Sequence, residues 1–347
     1  MSDTSNNVSS IINVLSNLST SPTQSLKSAI VPLLTPPVTP PILIKRPNSD
    51  TILSSLPPEI LLKIFGHLRI PLVEESYEDI LNVSLVCRRW HNCSVTILWN
   101  KVDIRRQSKW FLIRNYIPKY GHLINSISLY WVGLYDKDKQ MLLKHCRCIK
   151  ILSLVKCRNL DKDFLCGLVK LNQETLRSFM IWGPGVYESL ATEITDDLLL
   201  PMINYCKKLK ELKIQAAAIT DKLLINLANS TSNHKNNIWP ELNVIDLSEC
   251  GKITAGGIAE LFNPSVFPKL FNLRLQYHEE NDLDVDFFDF LAKSFPQLKF
   301  YLVVIDWYLE TNPFNGTRYV KVSDDLQALC KRRHNIVLET LISGRQW

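Results

Sequence analysis

The chain has 347 residues and a net charge of +6, with 46% hydrophobic and 21% charged residues. That balance fits a soluble globular protein of about two domains, and the mild charge permits nucleic-acid binding without implying it. The longest apolar run, Phe300 to Ile305, is far shorter than the roughly 18 to 20 residues that span a bilayer, so a membrane-spanning protein is excluded.

Residues 1–53 read as a disordered tail. More than half of the first 50 residues are Ser, Thr, Asn or Pro, and Trp, Tyr and Phe are absent. Such a segment cannot bury enough apolar surface to offset its backbone entropy. The Pro-rich stretch from Val31 to Pro41 favours extended polyproline geometry. Met1 is not followed by a basic segment and an apolar core, so no secretory signal is expected. The nine cysteines are scattered and odd in number, which reads as reduced thiols in the cytoplasm or nucleus.

Order is predicted from Ser54. Leu61, Ile64, Phe65 and Leu68 share one helical face, with Pro57, Pro58 and Glu59 at a favourable helix start. A second helical run is predicted from Asp79 as N-cap, carrying Ile80, Val83, Val86, Cys87 and Trp90. A helical unit of residues 54–100 is too small to hold together without a partner or the rest of the chain.

After Trp99 the sequence becomes periodic, and residues 101–347 read as a repeat domain with a C-terminal cap. An apolar residue, another three on and a third two further recur as Trp99/Val102/Ile104, Ile124/Ile127/Leu129, Ile149/Leu152/Leu154 and Leu176/Phe179/Ile181. The series continues as Leu209/Leu212/Ile214, Leu242/Ile245/Leu247, Leu270/Leu273/Leu275 and Leu298/Tyr301/Val303. Helix-like segments follow the strand-like ones, and the period is about 25 to 33 residues, the signature of leucine-rich repeats. The two longest steps require loop insertions, at Gly183 to Ala191 and at Asn229 to Trp239.

These motifs resemble known families. Leu56-Pro57-Pro58-Glu59-Ile60, Ile64-Phe65-Gly66-His67-Leu68, Leu85-Val86-Cys87-Arg88-Arg89-Trp90 and Leu98-Trp99 look like an F-box, with a longer link between its first two helices. The repeats resemble the cysteine-containing leucine-rich repeats that follow an F-box, through Cys157, Cys250 and the Ile-Thr-Asp steps at Ile194 and Ile219. The resemblance implies an α/β fold: a short helical F-box, then a solenoid with parallel strands on its concave face and helices on its convex face. It implies a substrate receptor of an SCF-type ubiquitin ligase, linking a Skp-family adaptor, and through it a cullin, to a target protein for proteasomal degradation. The adaptor-binding residues would be Leu56, Pro57, Pro58, Ile60, Ile64, Phe65, Leu68, Val86, Cys87 and Trp90. The alternative is a non-enzymatic scaffold whose F-box-like helices only cap the solenoid.

Strand alternation puts one set of side chains in the core and the other on the open face, the usual binding surface of solenoids. On that face Tyr130, Val155, Met180 and Trp182 form an apolar centre, with Lys213, Asp246 and Arg274 setting charge complementarity to the target. The same phase assigns Phe300, Leu302 and Val304 to this face, although they read as buried on both sides. No metal or cofactor is expected. The spacing of His145, Cys146, Cys148 and Cys157 is not a zinc pattern, and Asp282, Asp284 and Asp286 lack the glycine and glutamate of a calcium loop. Gly251 to Thr254 reads as a repeat turn, and the basic run at Cys206 to Lys210 as a solvated edge rather than a nucleic-acid site. No catalytic constellation is present, so no enzymatic activity is expected.

Overall fold

The computed structural model describes residues 56–68, 76–183, 193–203, 205–206, 208–232, 240–261, 267, 269–276, 282–305, 310–311, 318–319 and 324–341. The expected tail, the link after Leu68 and most of both loop insertions lie outside them. The chain divides into two compact units, Met1–Trp99 and Asn100–Trp347.

The described residues of the first unit form three helices: α1 (Pro58–Leu68), α2 (Ser76–Ser84) and α3 (Arg88–Asn100). Helix α2 starts three residues before the expected Asp79 cap. The run from Ile80 to Trp90 is not one helix, since the chain turns at Leu85–Val86. Leu61, Phe65, Ile80, Cys93 and Ile97 form the core, with Leu56, Leu62, Leu68, Val83, Trp90 and Leu98 packed around it. The Phe65 and Trp90 rings meet edge to face at 5.2 Å, an arrangement aromatic pairs favour.

The second unit is an α/β array. Nine strands form one open sheet in the order β1-β2-β3-β4-β5-β6-β7-β8-β11, all neighbours parallel. The strands are β1 (Lys101–Ile104), β2 (Ser126–Tyr130), β3 (Ile151–Val155), β4 (Ser178–Trp182), β5 (Glu211–Gln215), β6 (Val244–Leu247), β7 (Asn272–Gln276), β8 (Lys299–Ile305) and β11 (Ile336–Leu341). A two-residue pair, β9 (Glu310–Thr311) and β10 (Arg318–Tyr319), stands apart from the sheet. Helices α4 (Gln107–Ile113), α5 (Ile117–Tyr120), α6 (Asp136–His145), α7 (Lys162–Leu171), α8 (Asp196–Ile203), α9 (Asp221–Ser232), α10 (Ala255–Leu261), α11 (Val285–Ser294) and α12 (Asp324–Arg332) connect the strands of the sheet. Helix α9 runs to Ser232, so the second expected insertion begins as helix.

Register explains the sequence period. Val102, Ile127, Leu152, Phe179, Leu212, Ile245, Leu273 and Phe300 stand side by side across eight strands, and every one is buried. Strands β3 to β7 are entered by the same turn. Lys150 N and Ile151 N both donate to Asn125 O, Arg177 N and Ser178 N to Lys150 O, and Lys210 N and Glu211 N to Arg177 O. The pattern continues with Asn243 N and Val244 N to Lys210 O, and Phe271 N and Asn272 N to Asn243 O. Backbone donors that would be orphaned at a strand start are thus satisfied by the preceding unit.

Side chains repeat as well. The Asp196 carboxylate accepts from Thr220 N at 2.9 Å and Thr220 Oγ1 at 2.6 Å. One unit later Asp221 accepts from Thr254 N at 2.9 Å and Thr254 Oγ1 at 2.6 Å. A Cβ on Gly257 would strike the Asp221 carboxylate, so glycine permits that approach. Cys157 and Cys250 are buried, and their Sγ–H groups donate to Leu129 O and Ile214 O, each at 3.3 Å. Burial pushes the Cys157 thiol up to about 12 and holds that of Cys250 well above its ordinary range.

One phase assignment is corrected. Phe300 and Leu302 pair with Leu273 and Leu275 and are buried in the core, whereas Tyr301 aligns with Arg274. The turn from Leu298 to the first core position is one residue shorter than in the other units, so Phe300, Tyr301 and Leu302 take the faces opposite to those expected. Val304 pairs with Thr340 of β11, a ninth sheet strand not expected from the sequence.

Candidate functional site

In the helical unit the ten predicted adaptor-binding residues separate by exposure. Pro57, Pro58, Ile60, Ile64, Val86 and Cys87 are exposed; Leu56, Leu68 and Trp90 are partly buried. Phe65 is in the core, where it holds α1 against its neighbours and has no surface to offer. Ile60 and Ile64 lie one turn apart on α1, while Leu85 and Val86, exposed by 60% and 62%, cap the α2–α3 turn. Leu85 is an addition; its place beside Val86 in the turn was hidden while the segment read as continuous helix. A small helical unit that leaves Ile60, Ile64, Leu85 and Val86 in water has apolar surface to cover.

On the sheet face opposite the core, Tyr130, Val155 and Trp182 stand in one row and Ser128, Ser153, Met180 and Lys213 in the next, with Asp246 and Arg274 continuing that second row. Tyr130, Met180, Trp182, Lys213 and Arg274 are partly exposed. Val155 is buried, a correction to its expected role. Asp246 is corrected too. Only 2% exposed, it accepts from Ser248 N at 3.0 Å, Ser248 Oγ at 2.7 Å, Gln215 Nε2 at 2.7 Å and Arg274 Nη1 at 3.3 Å. A buried carboxylate so fully hydrogen-bonded organises the sheet face and orients Arg274; it has no spare lone pair for a partner.

Other charges on this face are paired locally. Lys213 Nζ is 3.2 Å from Glu211 Oε2, and Arg105 Nε is 3.4 Å from Asp103 Oδ1. Arg105 also lies over the Tyr130 ring at 5.6 Å. Lys156 Nζ lies over the ring of Trp131 at 4.5 Å and that of Trp182 at 5.4 Å. Trp131 and Lys156 were not singled out from the sequence, because they occupy the turn just past the strand, beyond the alternating pattern. Burial raises the Glu249 carboxyl above its ordinary value, against the pull of Lys156 and with the push of Asp246.

Among the described residues no group of three or more His, Cys, Asp or Glu side chains is placed to hold a metal ion, and no helix is long and apolar enough to cross a membrane. The exposed helical surface is apolar, and the open sheet face mixes apolar and charged side chains. No curated protein matches the chain. Residues 53–105 match the family model described as F-box-like, and the chain carries an F-box-like domain there.

Proposed function

We propose that this chain is the substrate-recognition subunit of a cullin-based SCF-type ubiquitin ligase. The F-box-like domain binds a Skp-family adaptor. The array from Asn100 onward is read as a leucine-rich-repeat solenoid of the cysteine-containing type that holds a target protein for degradation. The subunit does no chemistry; it raises the effective concentration of target lysines near the ubiquitin carrier. It works in the cytoplasm or nucleus.

The observation that carries the reading is the F-box-like match over residues 53–105 together with the exposed Ile60, Ile64, Leu85 and Val86. The repeat reading is supported by the recurring strand-entry turns, the Thr–Asp steps and the two turn cysteines. The test is co-purification of the full chain with a Skp-family adaptor. Wild type should retain adaptor at micromolar concentration; an Ile64→Asp, Val86→Asp variant should lose it while its strands keep their amide protection. Absence of adaptor binding by the wild-type chain would leave the scaffold reading instead.

A further inference from the structure

The turn-side ends of β2, β3 and β4 form an aromatic and cationic rim. Trp131 and Lys156 sit at equivalent turn positions with φ of 62° and 52°, a left-handed backbone that Gly or Asn adopts at lower cost than bulky residues. Trp131 nevertheless stays 42% exposed, so folding alone does not account for an indole there. Lys156 spans the Trp131 and Trp182 rings. Ser153 Oγ and Trp182 Nε1 are buried and have no hydrogen-bond partner among the described residues. Both groups can donate, and the indole N–H can only donate, so a nearby acceptor would satisfy them.

Charge points the same way. Residues 126–133, 151–159 and 178–183 include Lys156 and Arg158 but no Asp or Glu. The charged groups that act on Glu249 are Lys156, Asp246 and Arg274. A single carboxylate can be tolerated beside Glu249 far better than a doubly charged phosphate, which is commonly read by arginine clusters rather than by one lysine.

We propose that this rim, centred on Trp131, Lys156 and Trp182, seats an acidic segment of the target: an Asp or Glu carboxylate pairs with Lys156 while an adjacent apolar side chain lies on the indoles. The inference rests on the target-receptor reading above and specifies the partner's chemistry.

The probe is a random dodecapeptide library displayed on phage, selected against the full-length chain. Selected peptides should be enriched in Asp or Glu next to an apolar residue. Binding should weaken at least tenfold in Lys156→Met and in Trp131→Gly, the latter relieving the backbone and so keeping the fold. Lys156→Arg should retain it, and Glu249→Gln should tighten it several-fold. No enrichment, neutral or basic selected peptides, or indifference to Lys156→Met would overturn the proposal, as would tighter binding when phosphoserine replaces the acidic residue. Adaptor co-purification is measured on the same samples. Its loss with peptide binding intact would overturn the ligase role and leave this site standing.

Discussion

Asp161 carries two duties at the start of α7. Its Oδ1 accepts from Phe164 N at 2.8 Å, capping the helix, and its Oδ2 pairs with Lys139 of α6. Burial alone would raise the Asp161 carboxyl, but the lysine and the capping donor hold it below its ordinary value; Lys139, in turn, is held above its own. The signs define a window. The carboxylate's contribution is present above the ordinary aspartate pKa of about 3.9 and is lost as pH falls through the lowered value. The ammonium's contribution is present below its ordinary value near 10.4 and is lost as pH rises through the raised one. Asp161→Asn preserves the cap, since Asn caps as well as Asp, and removes only the charge. Its destabilisation, measured by urea unfolding, should be constant from about pH 5 to 9 and shrink toward both extremes. Thiol chemistry gives a second residue-scale outcome. Cys87 and Cys148 are exposed, whereas burial pushes Cys146, Cys157 and Cys206 up to about 12. Iodoacetamide at pH 8 should label the first two within minutes and leave the other three unlabelled until unfolding, as peptide mass mapping would reveal.

At the scale of elements, the coupling between successive units is local and legible. Asp221→Ala removes both acceptors for Thr254 at the next helix start, and should cost about 1 to 3 kcal/mol in a denaturant titration. Gly257→Ala, which adds a methyl where that carboxylate sits, should destabilise through overpacking by a similar amount, about 1 to 3 kcal/mol. The two variants touch one contact, so the double variant should cost less than their sum. The apolar anchors at fixed spacing disclosed seven strands with their correct phase, because a strand buried on one face repeats every two residues. Strand β8 escaped because the turn after Leu298 drops one residue, a change invisible to a rule that counts from the first anchor. Tyr301 keeps the phase of Arg274 while Phe300 sits in the core, so Phe300→Asp should unfold this end of the sheet and Tyr301→Asp should be nearly neutral. Strand β11 escaped because Ile336 to Leu341 is bracketed by no second repeat. On the open face, Asp246 read as a free charge because sequence phase reports the face a side chain takes, not the neighbours Gln215, Ser248 and Arg274 that enclose it.

At the scale of the whole molecule the two units differ in how they are stabilised. The array gains stability from each neighbour it stacks on, so its core strands should resist local opening. The helical unit has a small core of Leu61, Phe65, Ile80, Cys93 and Ile97 and leaves Ile64, Leu85 and Val86 in water. With so little apolar surface buried, its amides should open by local unfolding at low free-energy cost. A partner that binds only the folded helices then stabilises them by mass action, by about 2.7 kcal/mol at a free concentration one hundred times its Kd. Hydrogen exchange of the full chain reads this directly. Adding a Skp-family adaptor at that excess should slow exchange in α1, α2 and α3 by roughly a hundredfold, while the amides of β2 to β8 keep their rates. Ile64→Asp should abolish the slowing without altering strand protection, since Ile64 is exposed and lies outside the helical core. Protection spreading into the strands of the wild-type chain would mean that the adaptor also engages the array, and the division of labour between a helical adaptor-binding unit and a target-holding sheet would have to be abandoned.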